Sequence, residues 1–268
     1  MPGEDILSGS AITTGLATRY MGQHVVHVES TTSTMDLADQ QAADGAMEGT
    51  VVVADSQTEA RGRFRRRWIA PPGTELYCSI ILRPRPEHLL QLTMVAALAV
   101  AEAVQVACDI RTAIKWPNDV EVGGRKIAGI LIDNAMLMGN VDYSIMGIGI
   151  NAALDPRRHP EIAETATSLA TEAGRPVARL PVLRALLTAL EPLYDRVQAG
   201  ESLVPEWKAR LSTLGEQVRV AWPGDALGQD STQEGVAEDV DGEGALILRR
   251  ADGSQVRLIA GEVTLRPR

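Results

Sequence analysis

Cysteine, histidine and aromatic residues are scarce in this chain. Among its 268 residues are two cysteines, four histidines and one phenylalanine. Cys78 lies in an apolar alternating run and Cys108 closes an alanine-rich stretch, so both read as buried thiols. Neither has a CxxC partner, and no His/Cys cluster has metal-ligand spacing. The N-terminal Met-Pro-Gly-Glu-Asp has neither a basic n-region nor an apolar h-region, so no secretory signal is visible. The most apolar run, Leu89 to Cys108, is broken by Gln91, Thr93, Glu102 and Gln105, which predicts a buried helix rather than a membrane span. No repeat or low-complexity tract stands out. The net charge of -9 argues against broad nucleic-acid binding. Together these describe a soluble, reduced, cytoplasmic protein without a membrane partner.

The chain is long enough for one large domain, or a large one with a small companion. Strands are predicted over His24–Glu29, Thr50–Asp55 and Leu76–Leu82, with helices over Met35–Ala43 and Glu87–Cys108. Four strand-like runs follow: Thr112–Lys115, Val120–Val122, Ile127–Ile132 and Tyr143–Ile150. Gly123-Gly124 makes a two-residue turn between the second and third. Two further helices are predicted over Leu180–Val197 and Ser202–Leu211. From Leu214 onward the pattern changes to short strands and Gly/Asp turns, as in a small β-barrel. The expected division is a short lead over 1–23, a catalytic domain over 24–213 and a small terminal domain over 214–268. The fold class is α+β, a mixed sheet flanked by helices.

Against this acidic background, Arg61, Arg63, Arg65, Arg66 and Arg67 fall within seven positions. So many cations repel one another unless an anion sits among them, and guanidinium forks suit phosphate and carboxylate oxygens. A solvated loop or a nucleic-acid patch is the plainer reading of the run taken alone. Three other segments carry chemistry. Ser33-Thr34 places two hydroxyls where a strand gives way to a helix, either as a cap or as a ligand contact. Lys115-Trp116-Pro117-Asn118-Asp119 sets a cation, an aromatic, an amide and a carboxylate around a rigid proline. Lys126 opens an apolar strand, where it either snorkels to solvent or neutralises an anion in a pocket. Gly147-Ile148-Gly149-Ile150-Asn151 adds small residues in a strand, consistent with a ligand pressing on the backbone. The combined pattern suits a phosphate and a second anion.

These motifs resemble the biotin protein ligases, whose signature runs Gly-Arg-Gly-Arg-x-Gly-Arg-x-Trp, Lys-Trp-Pro-Asn-Asp, Lys-(Leu/Ile/Val)-Ala-Gly-Ile-Leu-(Val/Ile)-Glu and Gly-Ile-Gly-Ile-Asn. The second and fourth stand at Lys115–Asp119 and Gly147–Asn151; Lys126–Asp133 matches except that Asp133 replaces glutamate. Ser33-Thr34 and Gln57 match the family's residues before its first helix and its arginine loop. The resemblance runs from His24 to the C-terminus and implies a class II synthetase-like catalytic domain with a C-terminal SH3-like barrel. It implies that biotin and ATP form biotinyl-AMP, and that biotin then passes to a lysine of a biotin carboxyl carrier protein. Ser33, Thr34, Gln57, Arg61, Arg63 and Lys126 are then the biotin contacts. Arg63, Arg66, Trp68, Lys115, Asn118 and Asn151 are the nucleotide contacts. Lys126, Arg61 and Asp119 are the catalytic groups, with Asp119 also a ligand for Mg2+. The resemblance allows a homodimer. The segment before His24 has no room for the family's helix-turn-helix module, so a monofunctional ligase without specific DNA binding is expected. The alternatives are a lipoate or octanoate ligase of the same superfamily and a biotin-binding protein that does not catalyse. Two departures stand in the loop, Ala60 and Arg65 at glycine positions. A left-handed backbone at Arg65 predicts a strained loop that retains the adenylate poorly.

Overall fold

The computed structural model describes residues 5–66, 68, 71–222 and 231–265. Seven strands form the central sheet: β1 (Val25–Thr31), β2 (Val51–Gln57), β3 (Glu75–Leu82), β4 (Ala113–Lys115), β5 (Asp119–Val122), β6 (Arg125–Leu137) and β7 (Asn140–Asn151). Their spatial order is β1-β2-β3-β7-β6-β5-β4. Only β1 and β2 run parallel, and a parallel pair needs a crossover, which α2 (Thr34–Ala43) supplies. The other pairs are antiparallel; the long arginine loop joins β2 to β3, and short turns join β4 to β5, β5 to β6 and β6 to β7. Gly123 and Gly124 have φ of 56° and 78°, the left-handed pair that a two-residue hairpin requires.

The two faces of the sheet differ. Leu76, Cys78, Ile80, Ile148 and Ile150 pack with α3 (Leu92–Cys108) and α5 (Arg179–Gln198) into the main core. Met35, Ala38, Ile81, Tyr143 and Ile145 form a smaller cluster under α2 on the other face. The stretch Pro86–Cys108 is long and apolar enough to cross a membrane by length and composition, but most of it is buried between sheet and α5. Its first six residues, Pro86–Gln91, form a 3-10 turn, where the sequence predicts α-helix from Glu87 onward. The predicted helix over Ser202–Leu211 shortens to α6 (Val204–Lys208).

Two helices carried no clear periodic signal. The first is α1 (Gly9–Thr13), capped by Ser8, and the other is α4 (Leu169–Ala173), capped by Ser168. Residues ahead of β1 belong to the core: Leu7, Ile12 and Met21 are fully buried. The Glu191 carboxylate on α5 fixes this segment by accepting the backbone N–H groups of Arg19, Tyr20 and Met21 at 2.9–3.0 Å.

The C-terminal strands β8 (Gln217–Trp222), β9 (Ser231–Val240), β10 (Leu246–Arg249), β11 (Gln255–Leu258) and β12 (Glu262–Leu265) form an antiparallel sheet ordered β11-β10-β9-β8-β12. β12, four residues long, is a strand that the sequence pattern missed. The small sheet docks through Trp116, whose backbone N–H meets Thr213 Oγ1 at 2.9 Å and whose indole N–H meets the Gly244 carbonyl at 3.0 Å.

Candidate active site

One cavity of about 570 Å³ opens on the α2 face of the sheet, and all twelve predicted site residues line it. Its floor is made of glycine. Gly129 on β6 and Gly149 on β7 are register partners, and Gly149 in turn pairs with Tyr77 on β3. The Trp68 ring lies across both glycines: a Cβ on Gly129 would sit 2.7 Å from it, and one on Gly149 would sit 3.2 Å away. Side chains there would lift the indole off the sheet, which is why small residues interrupt these strands. A Cβ on Gly147 would lie 2.4 Å from the Met35 sulfur, so Met35 packs on that glycine from α2.

At one end sit the hydroxyls. Ser33 caps α2, its Oγ accepting Met35 N–H at 3.2 Å. The carbonyl oxygen of the Gln57 side chain accepts the Thr34 N–H at 2.6 Å and the Thr34 hydroxyl at 3.2 Å. Ser79 donates to the same hydroxyl at 2.9 Å. The buried Ser33 and Thr34 are thus held in fixed orientations at the start of the helix, next to its orphan N–H groups.

The arginine loop covers the middle. Backbone bonds from Gly62 to the Arg66 carbonyl and from Trp68 to the Ala60 carbonyl close it, at 2.8 and 2.9 Å. The strain foreseen at Arg65 is absent there. Phe64 is the residue with positive φ, at 55°, and Arg65 completes a 3-10 turn without it. Each lining arginine has an acceptor. Arg61 makes a two-pronged pair with Asp36 on α2, at 2.5 and 2.9 Å. That pair holds the Asp36 carboxyl below its ordinary range. Arg63 donates to Asn118 Oδ1 at 3.2 Å and to the Gly261 carbonyl at 3.1 Å; burial lowers its pKa, against the pull of Asp119 and Glu262. Arg66 pairs with Glu262.

Lys126 stands at the centre. Its Nζ lies 2.7 Å from Asp119 Oδ1 and 4.9 Å from the centroid of the Trp68 ring. Its position is braced from behind: Asn151 gives both amide hydrogens to the carbonyls of Lys126 and Thr167, at 3.2 and 2.8 Å. Only the carbonyl oxygen of the Asn151 side chain is left to face a ligand. Asn118 similarly donates to the Ile130 carbonyl at 2.8 Å, leaving its oxygen for Arg63. Lys115 reaches the cavity from β4, where it is the register partner of Asp119.

Several lining residues escaped the sequence reading. Tyr77, Glu121 and Glu161 join the wall, and Gly261, Glu262, Val263 and Thr264 contribute from the small sheet. Glu121 had a usable signal, a charge inside a short apolar strand. The β12 contribution had none, because tertiary docking creates it. Neither cysteine reaches the cavity.

Residues 27–151 match the sequence model of the Biotin/lipoate A/B protein ligase family, and residues 213–266 match that of the Biotin protein ligase C terminal domain. The bifunctional ligase/repressor BirA of Bacillus subtilis is 37% identical over 252 residues, covering 92% of this chain and 76% of the relative. The chain belongs to the biotin protein ligase family. A second member, the biotin–[acetyl-CoA-carboxylase] ligase of Paracoccus denitrificans, is 35% identical over 80% of this chain and 90% of its own. Among solved structures, the biotin protein ligase from Aquifex aeolicus in complex with biotin and ATP superposes with a TM-score of 0.75 at 28% identity. It covers 91% of this chain and 99% of that one. The α+β catalytic fold and the SH3-like terminal domain agree with that membership.

Proposed function

We propose that the chain is an ATP-dependent biotin protein ligase that activates biotin as biotinyl-AMP and transfers it to a lysine of a biotin carboxyl carrier protein. The observation that carries this reading is the gathering of five cations, Arg61, Arg63, Arg66, Lys115 and Lys126, in one cavity beside capped hydroxyls and a glycine floor. In the first half-reaction a biotin carboxylate oxygen attacks the α-phosphorus of ATP, and pyrophosphate leaves. Two anions must approach, so fixed positive charge lowers the barrier by stabilising the charge that gathers between them. Lys126 is the group for that task, its Nζ held at the cavity centre. Arg61 and Arg63 steady the carboxylate and the α-phosphate, with Arg66, Lys115, Asn118 and Asn151 toward the nucleotide and Trp68 beside its base. Ser33, Thr34 and Gln57 hold the far end of biotin through their connected hydroxyl and amide groups.

In the second half-reaction the acceptor amine attacks the anhydride carbonyl, AMP leaves, and one amine proton must be removed. Asp119 is the carboxylate at hand, once ligand draws Lys126 away from it. Mg2+ fits this site only as an ion brought by the triphosphate. No group of three or more His, Cys, Asp or Glu side chains could hold a metal among the described residues, and Mg2+ often uses one carboxylate plus substrate phosphates. Asp119 would be that carboxylate, and the ion would neutralise phosphate charge. The acyl-thiol route of the related octanoyl transferases finds no nucleophile here, since burial raises the Cys78 thiol to about 12 and both cysteines lie off the cavity. The acidic composition and free thiols support a cytoplasmic setting.

The test is pyrophosphate release by the purified chain, followed by intact mass of an added carrier domain. Release that requires both biotin and ATP, with one biotin added to one lysine, is expected. Biotin-independent release, or none, contradicts the proposal.

A further inference from the structure

Six buried side-chain polar atoms among the described residues make no well-formed hydrogen bond, and four of them stand together: Trp68 Nε1, Tyr77 Oη and both carboxyl oxygens of Glu75. Leaving such atoms unpaired is costly, so a cluster of them asks for a reason. Glu75 and Tyr77 are two residues apart on β3 and share the cavity face of the sheet. Across from them on β7 are Asn151 and Gly149. The Trp68 ring rests on that same Gly149 with its Cε2 3.3 Å from the Cβ position, while its far edge lies over Gly129. That orientation sends the neighbouring Nε1 toward β3, where the indole N–H favours the charged form of Glu75 against the much stronger opposing effect of burial.

Glu75 itself has no exposed surface and does not line the cavity, whereas Trp68 and Tyr77 do. Among the described residues no cation answers it either: Arg179 reaches only its backbone carbonyl, at 3.4 Å, and is paired with Asp5 and Asp55. Burial pushes the Glu75 carboxyl well above the usual carboxylate range, toward the neutral acid. A neutral carboxyl offers one carbonyl acceptor and one hydroxyl donor, the complement of an indole N–H and a phenol oxygen.

We propose that Glu75 is a positioning residue for the ligase reaction: its carbonyl oxygen accepts the Trp68 N–H and its hydroxyl donates to Tyr77, which fixes the indole plane in the ligand-bound enzyme. The proposal rests on the ligase reading given above. Because Glu75 does not line the cavity, it acts on the nucleotide through Trp68, with Tyr77 held by the same carboxyl.

The experiment uses the full chain labelled with 5-fluorotryptophan, in wild type, Glu75→Gln and Glu75→Leu. The Trp68 fluorine resonance is assigned by its loss in Trp68→Phe. Spectra are recorded free and with biotin plus ATP, alongside pyrophosphate release and the rate at which biotinyl-AMP dissociates. Glutamine keeps one acceptor and one donor, so Glu75→Gln is expected to match wild type in both readouts. Glu75→Leu is expected to fold at least as stably, since it removes unpaired buried oxygens. It should nevertheless displace or broaden the Trp68 resonance and release adenylate roughly tenfold faster, the loss of about one hydrogen bond. Identical Trp68 resonances and dissociation rates in all three proteins overturn the proposal, as does Glu75→Gln behaving like Glu75→Leu. A changed preference between ATP and GTP with an unmoved Trp68 resonance overturns it too, by assigning Glu75 to base reading. Absence of pyrophosphate release in wild type would instead defeat the ligase reading. The resonances of the Glu75 variants recorded with biotin plus ATP would still decide whether the carboxyl holds the indole.

Discussion

The two faces of the seven-stranded sheet are built from the same strands and do opposite things. On one, Leu76, Cys78, Ile80, Ile148 and Ile150 press into α3 and α5 with no polar atom to satisfy. On the other, the alternate positions are Glu75, Tyr77, Gly147 and Gly149, a surface too open and too polar to be a good core. Strand alternation makes this possible, since each residue step flips the side chain to the opposite face. One face can therefore supply stability while its neighbour carries unpaired oxygens, glycine gaps and crowded cations. The contrast teaches that the site is strained in composition because the fold is secured elsewhere.

That contrast can be broken from either side. Leu187→Ala, on the fully buried stripe of α5, is expected to cost about 2–5 kcal/mol of stability in a denaturant melt while leaving the KM for biotin unchanged at low temperature. Gly129→Ala should do the reverse. Its new methyl would meet Trp68 at 2.7 Å and Lys126 Nζ at 2.8 Å, so pyrophosphate release should fall by roughly a hundredfold with a near-normal melt, as misplacement of about 1 Å does. A smaller effect concerns the loop. Phe64→Gly relieves a left-handed backbone and should raise stability by about 1 kcal/mol in thermal melts, whereas Arg65→Gly should leave adenylate retention unchanged. The least is expected of Glu262→Gln, which removes an exposed partner of Arg66. A change in stability below about 1 kcal/mol, with a modestly raised KM for ATP, is the predicted result.

Much of this is legible in the residues alone. Of the motif residues, Lys115, Lys126 and Gly147–Ile150 lie on β4, β6 and β7, as the sequence pattern predicts, whereas Trp116–Asn118 form the turn between β4 and β5. Their convergence in one cavity follows from strand order, which periodicity does not encode. The loop illustrates the limit. Counting missing glycines pointed to Arg65, but the chain turns left-handed at Phe64, because closure by the Gly62–Arg66 and Ala60–Trp68 bonds moves the turn by one residue. Glu75 was hidden for a different reason. A lone acid at the head of an apolar strand looks like a strand end in solvent, and only the docked Trp68 and α5 bury it. The contribution of β12 depends on how the small sheet docks through Trp116, a contact 128 residues apart in sequence.

The measurement that tests the account most directly is biotin-dependent pyrophosphate release by Lys126→Ala, made on protein whose melting temperature matches wild type. The account predicts a fall of about two to three orders of magnitude, since the charge that joins the two anions is gone. Near wild-type turnover from a folded Lys126→Ala protein would contradict it.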